Sequence, residues 1–158
     1  MARKSAGGTP ATIALDKAGV AYALHPYVHD PQSSHFGEEA AAALGVDRDR
    51  ILKTLVADAG GELVVAIVPV ARQLDLKALA AAVGTKRAAL ASPVVAARTT
   101  GYVVGGISPL GQRARLRTLL DASAERFETI FISAGKRASR SSWRLETSSD
   151  SPTRSCVR

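Results

Sequence analysis

Aromatic side chains are scarce in this sequence: Phe, Trp and Tyr supply 4% of 158 residues, although 46% are hydrophobic. A core must therefore be built from Ala, Val, Leu and Ile, and the chain is long enough for one domain to bury such a core unaided. Cysteine is nearly absent. The single Cys156 excludes an intramolecular disulfide and fits a reducing compartment. Long apolar runs are also missing: "LVVAIVPVA", Leu63 to Ala71, falls far short of the roughly 20 residues that span a bilayer. The start, "MARKSAGGTP", carries charge without the apolar stretch of a secretory signal, so a cytoplasmic location and no membrane partner are expected. No GxxxxGK[ST] phosphate loop occurs, and "GGISPLG" is not the GxSxG elbow that would make Ser108 a nucleophile.

What is present is positive charge. The net charge is +7 and the pI about 10.1, which favours an anionic partner, nucleic acid first. The charge is distributed, with no run of five like residues. Along the chain, Thr9-Pro10 reads as an N-cap and first helical residue opening "PATIALDKAG", with Gly19 as the stop. "AYALHPYVHD" looks extended, and "GEEAAAALG", Gly37 to Gly45, is a short helix with Glu38 and Glu39 at its positive end. "ILKTLVAD" and "GELVVAIVPV" predict a hairpin around Asp58 to Gly61. "LDLKALAAAVG" has Leu76, Leu79, Ala80 and Val83 at helical spacing, and "SPVVAARTTG" starts with a Ser-Pro cap. "GYVVGG", "LRTLLDAS" and "FETIFIS" predict further strands. Helices and strands without regular βαβ repetition imply a single mixed α+β domain.

The last 21 residues, 138–158, form a Ser/Arg-rich tail in which periodicity vanishes. A disordered terminus is one reading. The other is a change of reading frame: with GC-rich codons, restoring one nucleotide after Arg137 gives "GLALELAPGDLLRLTDAVVRP", a periodic apolar segment suited to closing a domain. The division expected is a flexible start over 1–8, a domain over 9–137 and this atypical tail. Without the tail the chain keeps its positive balance, so the anionic-partner argument stands.

Chemistry-bearing residues are few. His25, His29 and His35 lie near Asp30, but their spacing matches no metal motif, so no metal and no cofactor are expected. Lys53 interrupts the apolar run "ILKTLVA", where alternation puts Ile51, Lys53 and Leu55 on one face. Such a lysine either snorkels to solvent or lines a cleft as an ammonium ready for phosphate or developing negative charge. Ser133, closing "TIFISAG", is a turn residue or a pocket hydroxyl, and Tyr27 in "HPYVHDP" is by default a half-buried aromatic. "TTGYVVGGISPLGQ", Thr99 to Gln112, is rich in glycine beside an expected strand, an arrangement that lets a ligand reach the main chain.

Taken in order, "HPYVHDP", "FGEEAAAALG", "ILKTLV", "AIVPVARQLDLKALA", "TGYVVGGISPLGQ" and "TIFISAGKR" resemble the YbaK family of aminoacyl-tRNA deacylases. The resemblance runs from about Thr9 to Arg137, and family members continue after "GKR" with a segment like the hidden-frame peptide. It implies a mixed α+β fold around a small, strongly curved, barrel-like sheet. It implies trans-editing, the hydrolytic release of cysteine mischarged onto proline tRNA, with that tRNA as partner and prolyl-tRNA synthetase as a further candidate. It makes Lys53, Tyr27 and Ser133 the residues tied to activity. Gly105, Gly106, Ile107 and Ser108, with Phe36 and Thr54, would bind substrate. The missing nucleophile then has an explanation: the cysteine thiol of the substrate attacks its own ester carbonyl, and backbone amides of the glycine loop stabilise the oxyanion. Removal of alanine or another small residue by water, and a catalytically silent tRNA-binding module, are the competing readings.

Overall fold

The computed structural model describes residues 8–33, 35–136, 139–144 and 155–157. Most of the segment expected to be flexible, and the Arg137-Ala138 junction, lie outside them. The helix caps sit where the local chemistry demands. Helix α1 (Pro10–Ala18) follows Thr9, whose hydroxyl accepts from the Thr12 amide, and stops at Gly19 with φ 68°. Strand β1 (Tyr22–Pro26) leads to α2 (Phe36–Leu44), which ends at Gly45. The hairpin forms from β2 (Leu52–Ala59) and β3 (Glu62–Pro69), paired antiparallel from Leu52↔Pro69 to Ala59↔Glu62. Its turn uses Gly60 and Gly61, both at positive φ, with the Asp58 carboxylate accepting from the Gly61 amide.

Asp75 caps α3 (Leu76–Val83), β4 (Ala88–Leu90) pairs with β2, and Ser92 caps α4 (Pro93–Thr100). Strand β5 (Arg117–Asp121), a 3₁₀ turn over Ala122–Arg126 and β6 (Thr129–Ser133) follow. Strands β7 (Ser139–Arg144) and β8 (Ser155–Val157) come from the Ser/Arg-rich tail. The first of these is not peripheral: β7 lies between β1 and β6, antiparallel to both.

The α+β class holds, but the strands form two sheets. One has the order β1-β7-β6 and the other β4-β2-β3-β5-β8, with β5 and β8 parallel to their neighbours. They meet where Ile51 bridges Phe131 and the Phe131 amide donates to the Arg50 carbonyl at 3.1 Å. Among the described residues neither closes into a barrel, which corrects the single curved sheet that the resemblance implied. At that junction Arg50 also donates to the Thr129 carbonyl at 2.8 Å, while the remaining pairs form two separate ladders.

Strand β3 reads as an unbroken apolar run because both of its faces are covered. Val65 and Ile67 pack with Leu52, Ile130, Ile132 and Ala124 between the sheets, while Val64 and Ala66 pack with Ala57, Ala59, Leu119 and Leu79 of α3. Burying residues of this kind contributes about 1.5–3 kcal/mol each. The strand expected at "GYVVGG" is absent; those residues form a loop. Gly101 ends α4 at φ 81°, Gly105 turns at φ 89°, and the Gly106 amide donates back to Val103 at 2.9 Å. A backbone that spends its amide on so tight a turn has no ladder to join.

Candidate functional site

Separate pieces of chain converge on one open cavity of about 390 Å³. The start of α2 gives Phe36 and Glu38, β2 gives Lys53 and Thr54, the glycine loop gives Gly105 and Ile107, and β7 gives Arg140. Leu90, Pro93 and Val104 form an apolar rim.

Local chemistry explains each placement. Gly37 lets α2 approach the end of the hairpin, since a Cβ there would fall 2.5 Å from Val70. Gly105 brings the loop against the Phe36 ring, which would lie 2.8 Å from an added Cβ, and its φ of 89° already suits glycine. Glu39 does not face the cavity. It accepts from the Asp30 amide and pairs with His29 Nδ1 at 2.6 Å, clamping the "HPYVHDP" segment onto α2. That hydrogen bond with His29 is the main reason the Glu39 carboxyl is held below the usual carboxylate range.

Lys53 is half-buried, and burial pushes its ammonium below the ordinary 10.5, with the Glu38 carboxylate pulling the other way. Thr54 Oγ1, buried in β2, has no hydrogen-bond partner among the described residues. In the glycine loop the Gly106 amide is taken by the Val103 carbonyl, while Gly105 and Ile107 line the cavity. Arg140 is 4% exposed; its Nη2 donates to the Phe36 carbonyl at 3.5 Å and its Nε has no partner. Burial lowers its pKa, while the neighbouring Tyr27 hydroxyl acts to raise it.

Lys53, Thr54, Phe36, Gly105 and Ile107 thus share the cavity. Tyr27 stands one layer behind, packed with Ala40, Ala41, Ile51 and Phe131 and touching Arg140. Ser108 is fully buried outside the lining; its hydroxyl accepts from the Leu110 amide and its carbonyl from Gln112, so it braces the loop. Ser133 is 2% exposed at the end of β6, where its hydroxyl accepts from the Gly135 amide. The three histidines go separate ways: His25 pairs with Ser142 at 2.7 Å, His29 with Glu39, and His35 precedes α2. Among the described residues no three His, Cys, Asp or Glu side chains gather as metal ligands, and no helix is long and apolar enough to cross a membrane.

Sequence reasoning missed Glu38 and Arg140. Glu38 read as an ordinary helix-start carboxylate, and nothing in a Ser/Arg-rich tail signalled a strand that would carry Arg140 into a cavity.

Residues 30–145 match the model of the aminoacyl-tRNA editing domain. Over 102 residues the chain is 41% identical to a candidate Cys-tRNA(Pro)/Cys-tRNA(Cys) deacylase, EbsC, of Enterococcus faecalis, covering 63% of this chain and 62% of that protein. It is 33% identical over 99 residues to the multifunctional Ser/Thr-tRNA deacylase ProXp-y of Escherichia coli, covering 62% of this chain and 59% of that one. The chain therefore spans about three fifths of the length of these two relatives. The fold also matches the crystal structure of a candidate trans-editing enzyme for prolyl-tRNA synthetase, with a TM-score of 0.75, 21% identity and 94% of both chains covered. With more than half its length matched to the model, the chain belongs to the aminoacyl-tRNA editing domain family.

Proposed function

We propose that this chain hydrolyses the ester of a mischarged aminoacyl-tRNA, and that its preferred substrate is cysteine carried by proline tRNA. One observation carries the reading: in an editing-family chain, Lys53 shares a single cavity with Gly105 and Ile107 of the glycine loop. Those groups can hold a phosphate or ribose oxygen at one side and a developing oxyanion at the other. Among the described lining residues there is no thiol, and the Thr54 hydroxyl has no hydrogen-bond partner to activate it, although His35 also lines the cavity.

The ester is already activated, so positioning and charge stabilisation suffice. The substrate thiol, with a reference pKa near 8.5, supplies some thiolate at neutral pH. Its sulfur forms a bond to the carbonyl carbon, and the carbonyl oxygen becomes the oxyanion. That intermediate collapses with cleavage of the ester C–O bond. The ribose oxygen leaves and takes up a proton, and water then opens the thiolactone to free cysteine. Orientation of this kind is worth on the order of 7–11 kcal/mol, and one oxyanion donor about 2.7–4 kcal/mol. Lys53 places its positive charge beside the terminal nucleotide, and the apolar rim of Leu90, Pro93 and Val104 suits the face of a nucleobase. The mischarged proline tRNA is the partner, with prolyl-tRNA synthetase as the enzyme whose error it corrects.

The Escherichia coli relative, named for Ser and Thr, favours a second reading in which water attacks. Deacylation of Cys-, Ser- and Ala-charged proline tRNA separates the two. Cysteine should be released fastest, since a hydroxyl near neutral pH is a far poorer nucleophile. Equal rates for Ser and Cys would refute thiol assistance, and gel retardation of tRNA without any release would leave a binding module.

A further inference from the structure

We infer that Glu38 reads the free α-ammonium group of the aminoacyl ester, so that the cavity accepts unblocked aminoacyl-tRNA and rejects N-acylated or peptidyl-tRNA. The inference rests on the deacylase reading above and deepens it. An aminoacyl-tRNA terminus is a dipolar ligand, with a phosphodiester at one end and an ammonium at the other. The cavity wall has a cation for the first in Lys53, and among its described lining residues Glu38 is the sole carboxylate. Both signs line the same cavity, and the Glu38 carboxylate is near enough to Lys53 to favour its charged form. A ligand bridging them is oriented end to end, with its carbonyl between.

The adjacent Glu39 cannot take this role, since both of its oxygens are committed to His29 and the Asp30 amide. Among the described residues Glu38 has one weak ion-pair partner, Arg48 at 3.6 Å, with both side chains about half exposed. An exposed ion pair of that kind contributes roughly 0–1 kcal/mol, so a substrate ammonium can displace it at little cost. Glu38 lies in the first turn of α2, the helix end that favours negative charge. An acylated amine has no charge to offer, so it cannot replace the Arg48 contact and gains no ion pair with Glu38.

The test uses two hydrolysis-resistant probes, 3′-(alanylamino)-3′-deoxyadenosine and its N-acetyl derivative, titrated against the intact chain by calorimetry. The unmodified chain should bind the free amine about tenfold more tightly than the acetylated probe. Glu38→Gln should abolish that preference, and Glu38→Asp should retain part of it, with thermal melting confirming that both variants fold. Equal binding of the two probes by the unmodified chain, no binding of either, or a preference surviving in Glu38→Gln would overturn the inference. A parallel weakening of both probes in Glu38→Gln would do the same, because it marks a structural role. A preference that depends on Glu38 in a chain that releases no amino acid from any charged tRNA would retain this inference and remove the deacylase reading.

Discussion

Strands β3 and β7 are both central strands in their sheets, yet they are made of opposite materials. β3 buries Val64, Val65, Ala66, Ile67 and Val68 in succession. β7 places Ser139, Arg140 and Ser141 at positions just as buried, with the Arg140 Nε unpaired. Apolar side chains select the place of the first. The second is held by its backbone ladders to β1 and β6, from Pro26↔Ser139 to Tyr22↔Trp143 and from Ser133↔Arg140 to Thr129↔Arg144. Backbone pairing tolerates any side chain; core packing does not. A half-satisfied buried guanidinium costs stability that an apolar residue of similar volume would not.

That contrast supports a proposal about the chain's origin: we propose that residues 138–158 are an out-of-frame read of a different C-terminal segment. The hidden-frame peptide would put leucine, alanine and leucine at the positions of Ser139, Arg140 and Ser141. Sequencing the coding DNA across Lys136 and Arg137 tests it directly. An in-frame gene without that peptide ends the idea.

Replacing residues 138–158 by the hidden-frame peptide should give the largest effect on the comparison. Two added core leucines at about 1.5–3 kcal/mol each predict a rise in Tm of roughly 10 °C. An unchanged Tm would show that β7 already fits its slot. Next, Leu79→Ala, beneath the β3 sheet, should lose about 2–5 kcal/mol in a urea titration. A loss well under 1 kcal/mol would mean that this face is as loosely determined as β7. Lys53→Ala should cut deacylation about 100-fold while leaving the melting curve in place. Wild-type turnover would return Lys53 to a snorkelling surface residue.

Arg140→Met tests β7 alone and should be neutral or stabilising by about 1–3 kcal/mol. A comparable loss instead would show the guanidinium to be well anchored through Tyr27 and Phe36. The smallest effect concerns pH. Lys53 titrates below an ordinary lysine because burial opposes its charge, so activity should rise as the substrate thiol ionises and fall as Lys53 loses its proton. Glu38 supports the protonated form, so Glu38→Gln should move the falling limb to lower pH. A limb that stays put would show that another group sets it.

Much of the fold was legible because its signals are local. Thr9-Pro10, Asp75 and Ser92 cap helices within three residues of themselves, and Asp58 to Gly61 closes its hairpin through one side chain and two positive-φ glycines. "GYVVGG" misled because Val103 and Val104 have strand propensity, whereas the cap at Gly101 and the turn at Gly105 override it. β4 and β7 were illegible, being too short or too polar to show a period. In the site, Lys53 stood out as a charge in an apolar run. Glu38 did not, since two adjacent glutamates at a helix start look alike until one is seen to face His29 and the other the cavity.

By itself the sequence determined the helices and the central hairpin, because capping and alternation act over a few residues, and its resemblance to a family singled out Lys53 and the glycine loop. The tertiary structure decided which charges share the cavity, that the glycine loop's middle amide is spent on its own turn, and that the sheets stay separate. Those outcomes depend on contacts between residues tens of positions apart, which no local period encodes.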